Sequence, residues 1–374
     1  MASVIDADTH VIESAGMWEL INEEMHPRRP VLVKVPGDTL YGSFNAFWLI
    51  DGNIFPKPGG KGSFPLHTPS AADREQARRD IELGCRELTD PEARLRDMDK
   101  RGVDTQVIYP TLFLVYLTDD VELEIALCRA YNRWMAAACA RGHGRLRWVV
   151  VPPLRSIEES IREIRVAKEH GAVGVFFRGV ERDRSLADRY FFPIYEEASH
   201  LNLPICIHTG AGSPAITSAF DWQMSSSLPQ VRLLPLIAFR DLVGHRIPEQ
   251  FPNLRFGFIE AAASWVPFLL HVLRRQVKST IKMGGPGARL EGGRGWGPKL
   301  FRDYRIYIAC EADEDLPMLL NYIDEDHLII GSDYGHQDPS EEAELVATLR
   351  AREDIPSRVV EKMLCENARR LYPL

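Results

Sequence analysis

The chain has 374 residues, 45% hydrophobic and 26% charged, which is ordinary globular composition and long enough for one large barrel or two average domains. Its net charge of −8 and pI near 5.8 exclude the basic face that a nucleic-acid backbone or an anionic membrane needs as its main partner. No apolar run approaches a membrane span, MASVIDADTH lacks the regions of a secretory signal, and the six scattered cysteines form no CxxC pair, so the expectation is a cytoplasmic protein with free thiols.

Short apolar runs alternate with amphipathic stretches along the whole chain. Strands are expected at 4–10, 105–111, 147–154, 172–179, 203–210, 254–261, 305–311 and 327–336. Most are nearly continuous in Val, Ile and Phe, the composition of parallel strands covered by helices. Helices are expected at 92–102, 121–141, 157–171, 190–201, 233–244, 264–278, 313–322, 340–352 and 357–371. Eight strands alternating with helices give an α/β chain and point to a single (β/α)8 barrel, a TIM barrel, over residues 1–374. An open doubly wound sheet would show a glycine fingerprint after its first strand, where this chain has Asp-Ala-Asp-Thr-His. Two segments interrupt the repeat. Residues 11–89 form a long insertion after strand one, read as a lid. Residues 279–299 form a Gly-rich, basic loop.

Barrels of this kind carry their chemistry at the C-terminal ends of the strands. Asp8 and His10 end strand one and, two apart, share a face. Tyr109 ends strand two, Arg178 strand four, His208 strand five, Glu260 strand six and Glu311 strand seven. Asp333 ends strand eight, with His336 three residues on. Imidazoles and carboxylates converging on one rim suit a divalent first-row metal, so the expected ligands are Asp8, His10, His208, Glu260, Asp333 and His336. His336 and Asp333 are also the expected proton-transfer groups. Arg178, Glu311 and Tyr109 are expected at the substrate or behind the ligands, whereas Asp6, one layer below Asp8, reads as structural. The histidines in expected loops and helix ends, His67 among them, read as solvated or capping.

VIDADTHVIE, the lone His208 on strand five, SDYGH at 332–336 and the closing CENARRLY together resemble the amidohydrolase superfamily, in the branch of amidohydrolase family 2, over nearly the whole length. The resemblance implies a metal-dependent hydrolase or non-oxidative decarboxylase with one Zn or Mn, or a metal pair. It also implies a small-molecule substrate and a homodimer. The chain departs from the pattern in three places. Asp8 stands where many relatives have the first His of strand one, Glu260 where they have His on strand six, and Arg178 where some have a bridging lysine on strand four. A carboxylate-rich set suits Fe or Mn better than Zn and resembles that of diiron proteins. The main expectation is therefore a member of the non-haem diiron monooxygenase subgroup, similar to the platensimycin-type terpenoid hydroxylase. It would use two Fe ions, O2 and an external electron donor with a redox partner protein, and hydroxylate a bulky apolar substrate. The alternative is a mononuclear Zn/Mn hydrolase or decarboxylase.

Overall fold

The apolar runs form eight parallel strands in one sheet, in a computed structural model that describes residues 3–38, 45–64, 66–72, 80–221, 228, 232–282 and 296–337, together with 340–374, the side chains of 277–282 excepted. The barrel strands are β1 (Ile5–Val11), β2 (Thr105–Pro110), β3 (Leu146–Val150), β4 (Ala172–Phe177), β5 (Ile205–His208), β6 (Phe256–Ile259), β7 (Ile306–Cys310) and β8 (Leu328–Ile330). They pair in sequence order. The ring closes just past the end of β8, where Thr9 bridges Tyr334 and the Asp333 N–H donates to the Asp8 carbonyl. The architecture is thus the expected (β/α)8 barrel. A right-handed strand–helix–strand repeat places the helices outside and leaves the strands apolar on both faces, as the buried Val, Ile and Phe residues of β2 to β8 show.

Local chemistry sets the helix ends. Asp90 accepts from the Ala93 N–H and opens helix Pro91–Arg101, which Gly102 terminates at φ 69°. Asp120 likewise caps helix Val121–Ala140. Three expected helices are shorter or broken. The segment 313–322 is helical only over Leu316–Leu319, with Asp315 as its cap and Pro317 in its first turn. Segment 340–352 retains Leu345–Arg350, and 357–371 is interrupted by a π-turn at Lys362–Glu366. A helix at Pro298–Tyr304 lies partly where the Gly-rich loop was expected; residues 283–295 of that loop lie outside the described residues.

The lid is not a bare loop. Val31–Lys34, Ala46–Ile50 and Asn53–Phe55 form a three-stranded antiparallel sheet. From it the chain returns to the barrel at Leu66, His67 and Thr68, all buried, and the Trp48 indole N–H holds the Thr68 hydroxyl at 2.9 Å. Residues 39–44, 65 and 73–79 of this insertion lie outside the described residues.

Candidate metal centre

Two departures from regular strand geometry aim the expected ligands at one point. On β1 the pairing with β2 slips by one residue between Asp6 and Thr9, a bulge. Asp6 turns to β8, where it accepts from the Ser332 N–H at 2.8 Å and from the Ser332 hydroxyl; burial pushes its pKa up to about 6. Gly331 lets the chain after β8 pass directly over Asp8, since a Cβ there would lie 2.2 Å from the Asp8 Cβ. The second departure is a left-handed backbone at Glu260 (φ 53°) and Asp333 (φ 52°), uncommon for side chains of this type and typical of functional sites. The turn that carries Glu260 is held by Glu314, whose carboxylate accepts from the N–H groups of Ala263, Ser264 and Glu311. Glu260 is thereby spared a capping role.

The result is a buried cluster. His10 Nε2 lies 3.5 Å from Asp8 Oδ1, 3.6 Å from Glu260 Oε2 and 3.3 Å from Asp333 Oδ1. His208 Nε2 lies 3.3 Å from both Asp8 Oδ1 and Glu260 Oε2. Each imidazole donates its Nδ1–H to a backbone carbonyl, His10 to Pro110 and His208 to Thr209, both at 3.0 Å. That assignment fixes the tautomer and turns the Nε2 lone pairs into the cluster. The two imidazole nitrogens and the Asp8 and Glu260 carboxylates thus face one small volume, and Asp333 joins His10, Glu260 and His336 in a second that overlaps it, a donor set that fits a hard or borderline divalent ion. Burial disfavours a charged His208, but Asp8 and Glu260 outweigh it and push its pKa up to about 9. Without metal, a proton therefore sits where a cation fits.

His336 belongs to this site in another way. Its ring stacks on His10 at 3.7 Å, its Nδ1 lies 2.9 Å from Asp333 Oδ1, and its Nε2 lies 2.8 Å from the Thr111 hydroxyl. The Thr111 hydroxyl has one hydrogen, and it goes to the Val11 carbonyl at 2.8 Å, which can only accept. Thr111 must therefore accept from His336 Nε2–H. That leaves Nδ1, 2.9 Å from Asp333 Oδ1, as the ring nitrogen of His336 that faces the donor cluster. Thr111 is held by Glu13, whose carboxylate accepts from the Thr111 and Leu112 N–H groups at 2.9 Å and whose pKa burial raises to about 7.

The remaining expected residues fall around the cluster. Tyr109 forms its floor: the ring lies 5.0 Å from that of His208, and its hydroxyl meets that of Tyr372 at 2.6 Å. Arg178 is committed elsewhere, to Glu181 and to the carbonyls of Phe113 (3.3 Å) and Val115 (2.8 Å). Glu311 stands off the cluster and pairs with Arg232. Residues with no signal at strand ends also reach the site. His67, read from sequence as solvated, is buried and stacks on His336 at 4.7 Å. Glu13, Glu314 and Arg232 were not singled out either, whereas Thr111, the last residue of the strand expected at 105–111, was expected with Tyr109 to line the pocket. An open cavity of about 940 Å³ lies between Phe55, Phe64 and Leu66 of the insertion after β1 and Val115 and Pro214, and none of the clustered donors lines it.

A family model described as amidohydrolase matches residues 5–374. The chain is 23% identical over 273 residues to 2-amino-3-carboxymuconate-6-semialdehyde decarboxylase of Dictyostelium discoideum, covering 68% of each chain. An amidohydrolase from Mycobacterium avium subsp. paratuberculosis shares the fold over 99% of both chains, with TM-score 0.74 and 20% identity. So does 5-carboxyvanillate decarboxylase from Novosphingobium aromaticivorans, solved with manganese and 4-hydroxy-3-methoxy-5-nitrobenzoic acid, over 100% of this chain and 96% of that one, with TM-score 0.69 and 17% identity.

These findings overturn the diiron monooxygenase expectation. The two decarboxylases among these relatives match the alternative reading, and one of them was solved with manganese. The candidate donors themselves fall into two overlapping groups, Asp8, His10, His208 and Glu260 in one and His10, Glu260, Asp333 and His336 in the other. Two Fe ions, O2, an electron donor and a redox partner therefore have no support here. Among the described residues no helix is long and apolar enough to cross a membrane, and all six cysteines are free and buried.

Proposed function

The chain belongs to the amidohydrolase family, and on that premise we propose that it is a non-oxidative decarboxylase of a small conjugated carboxylate, working with one divalent metal ion. The observation that carries this reading is the convergence of two overlapping donor groups, Asp8, His10, His208 and Glu260 with His10, Glu260, Asp333 and His336, at the ends of β1 and β5 and the turns after β6 and β8. Asp8, His10, His208, Glu260 and Asp333 would hold the ion. When bound, it would polarise the substrate oxygens and draw electron density from the bond that breaks.

The chain's own groups supply the rest. Decarboxylation breaks one C–C bond, releases CO2 and leaves an electron pair on carbon that must take up a proton. His336 holds a proton at Nδ1 against Asp333 Oδ1, and Thr111 keeps the ring in that orientation. The pair can deliver that proton and recover it from water, a general-acid role. Leu66, His67 and Thr68 are buried and His67 stacks on His336, so this segment would keep bulk water from the reacting carbon. No oxidant is consumed. The test is anaerobic: enzyme loaded with one equivalent of manganese or zinc should release CO2 from aromatic or dienoic carboxylates under nitrogen. Reductant-dependent O2 consumption without CO2 release would overturn the reading.

A further inference from the structure

We infer that Arg232 is the residue that selects a carboxylate-bearing substrate, and that Glu311 occupies its guanidinium until the substrate arrives. The inference rests on the decarboxylase reading and names the group that recognises the substrate.

A decarboxylation substrate brings a negative charge into a site that already holds Asp8, Glu260 and Asp333. Three carboxylates against one divalent ion leave one negative charge. The incoming carboxylate then has no counter-charge unless another cation lies at the mouth, and an uncompensated buried charge is costly. Three guanidiniums lie near the ligands among the described residues. Arg178 is committed to Glu181 and two backbone carbonyls. Arg94 holds the His10 carbonyl at 3.0 Å but is fully buried behind β1, where it also bonds Gln106 and Cys85. Arg232 holds the Glu260 carbonyl at 3.0 Å, and its side chain is 22% exposed.

The other end of Arg232 is built to exchange. One terminal nitrogen meets Glu311 Oε1 and the Ser340 hydroxyl, the latter at 3.4 Å. The Glu311 side chain is 31% exposed, so water can take over its carboxylate at little cost. The Glu260 carbonyl meanwhile keeps the guanidinium tethered beside the metal donors. A planar fork fixed at one edge and offered at the other suits two-pronged recognition of a carboxylate, which an ammonium cannot reproduce. Arg232 thus assumes the carboxylate-holding part that the sequence pointed to in Arg178.

The experiment measures binding calorimetrically to the manganese-loaded protein, with metal content checked for every variant. The probes are 4-hydroxy-3-methoxy-5-nitrobenzoate and 2-methoxy-6-nitrophenol, which lacks only the carboxylate. Wild type should prefer the benzoate. Arg232→Ala should weaken the benzoate roughly ten- to hundredfold, the worth of one charge-assisted contact, and leave the phenol unchanged. Arg232→Lys should restore little, and Glu311→Gln should tighten the benzoate. Equal weakening of both probes by Arg232→Ala, or none, overturns the inference and leaves the decarboxylase reading standing. Failure of wild type to bind the benzoate overturns both.

Discussion

Metal uptake by this protein should release a proton, and the structure gives its size. In the metal-free site His208 is buried between Asp8 and Glu260 and its pKa stands at about 9, against 6.5 for an ordinary imidazole. The ion must displace that proton because only neutral imidazole is a ligand. Below pH 9 the apparent affinity should therefore fall about tenfold per pH unit, and above it should level off. Between pH 9 and pH 7 the displaced proton costs about 3 kcal/mol, or roughly a hundredfold in affinity. Zinc titrations against a competing chelator at half-unit steps from pH 6.5 to 9.5 would show this slope. Calorimetry in buffers of different ionisation heat should report about one proton released per ion at pH 7. An affinity that stays flat between pH 7 and 9, with no proton released, would refute the placement of His208 between the two carboxylates.

Three further outcomes follow from the same geometry. His336→Gln should keep one metal ion per chain by elemental analysis while CO2 release falls by about two to four powers of ten, as the loss of a proton carrier would give; loss of metal would make His336 a ligand instead. Glu13 is fully buried with its pKa pushed up to about 7, above its value in the unfolded chain, so the folded state binds its proton more tightly. The protein should therefore gain about 3 kcal/mol from this group as pH falls from 7 to 4.5, and Glu13→Gln should lose that slope; parallel melting curves against pH for the two proteins would show the assignment to be wrong. Gly331→Ala places a methyl group against the Asp8 backbone and side chain. It should destabilise the barrel by about 1–3 kcal/mol in chemical denaturation and weaken metal binding as Asp8 moves, whereas unchanged metal affinity would show that Asp8 is not held by this contact.

Much of the barrel and the donor cluster was legible in the sequence. Strand period and strand ends are local properties, so Asp8, His10, His208, Glu260 and Asp333 could be placed on one rim without coordinates. Element lengths were less legible. Pro317 and the π-turn at Lys362–Glu366 act through local backbone geometry that an amphipathic pattern does not record. Residues 31–55 read as loop because their strands are short and the middle one is largely buried, so no polar–apolar alternation marks them.

The step from site to chemistry was where sequence reasoning went astray. Counting six candidate ligands rich in carboxylate suggested two ions, because a sequence shows which residues reach the rim and not which lone pairs remain. Only the contact with Thr111 commits one nitrogen of His336. His67 joins the ring stack through a lid segment about sixty residues away from any barrel strand end in one direction, and nothing local in its loop foretells that burial. The sequence alone thus determined the barrel and the residues on its rim, since alternation of apolar runs is a short-range property. Tertiary structure decided which of them face one another and which are held by other partners, because those contacts join residues as far apart as 111 and 336.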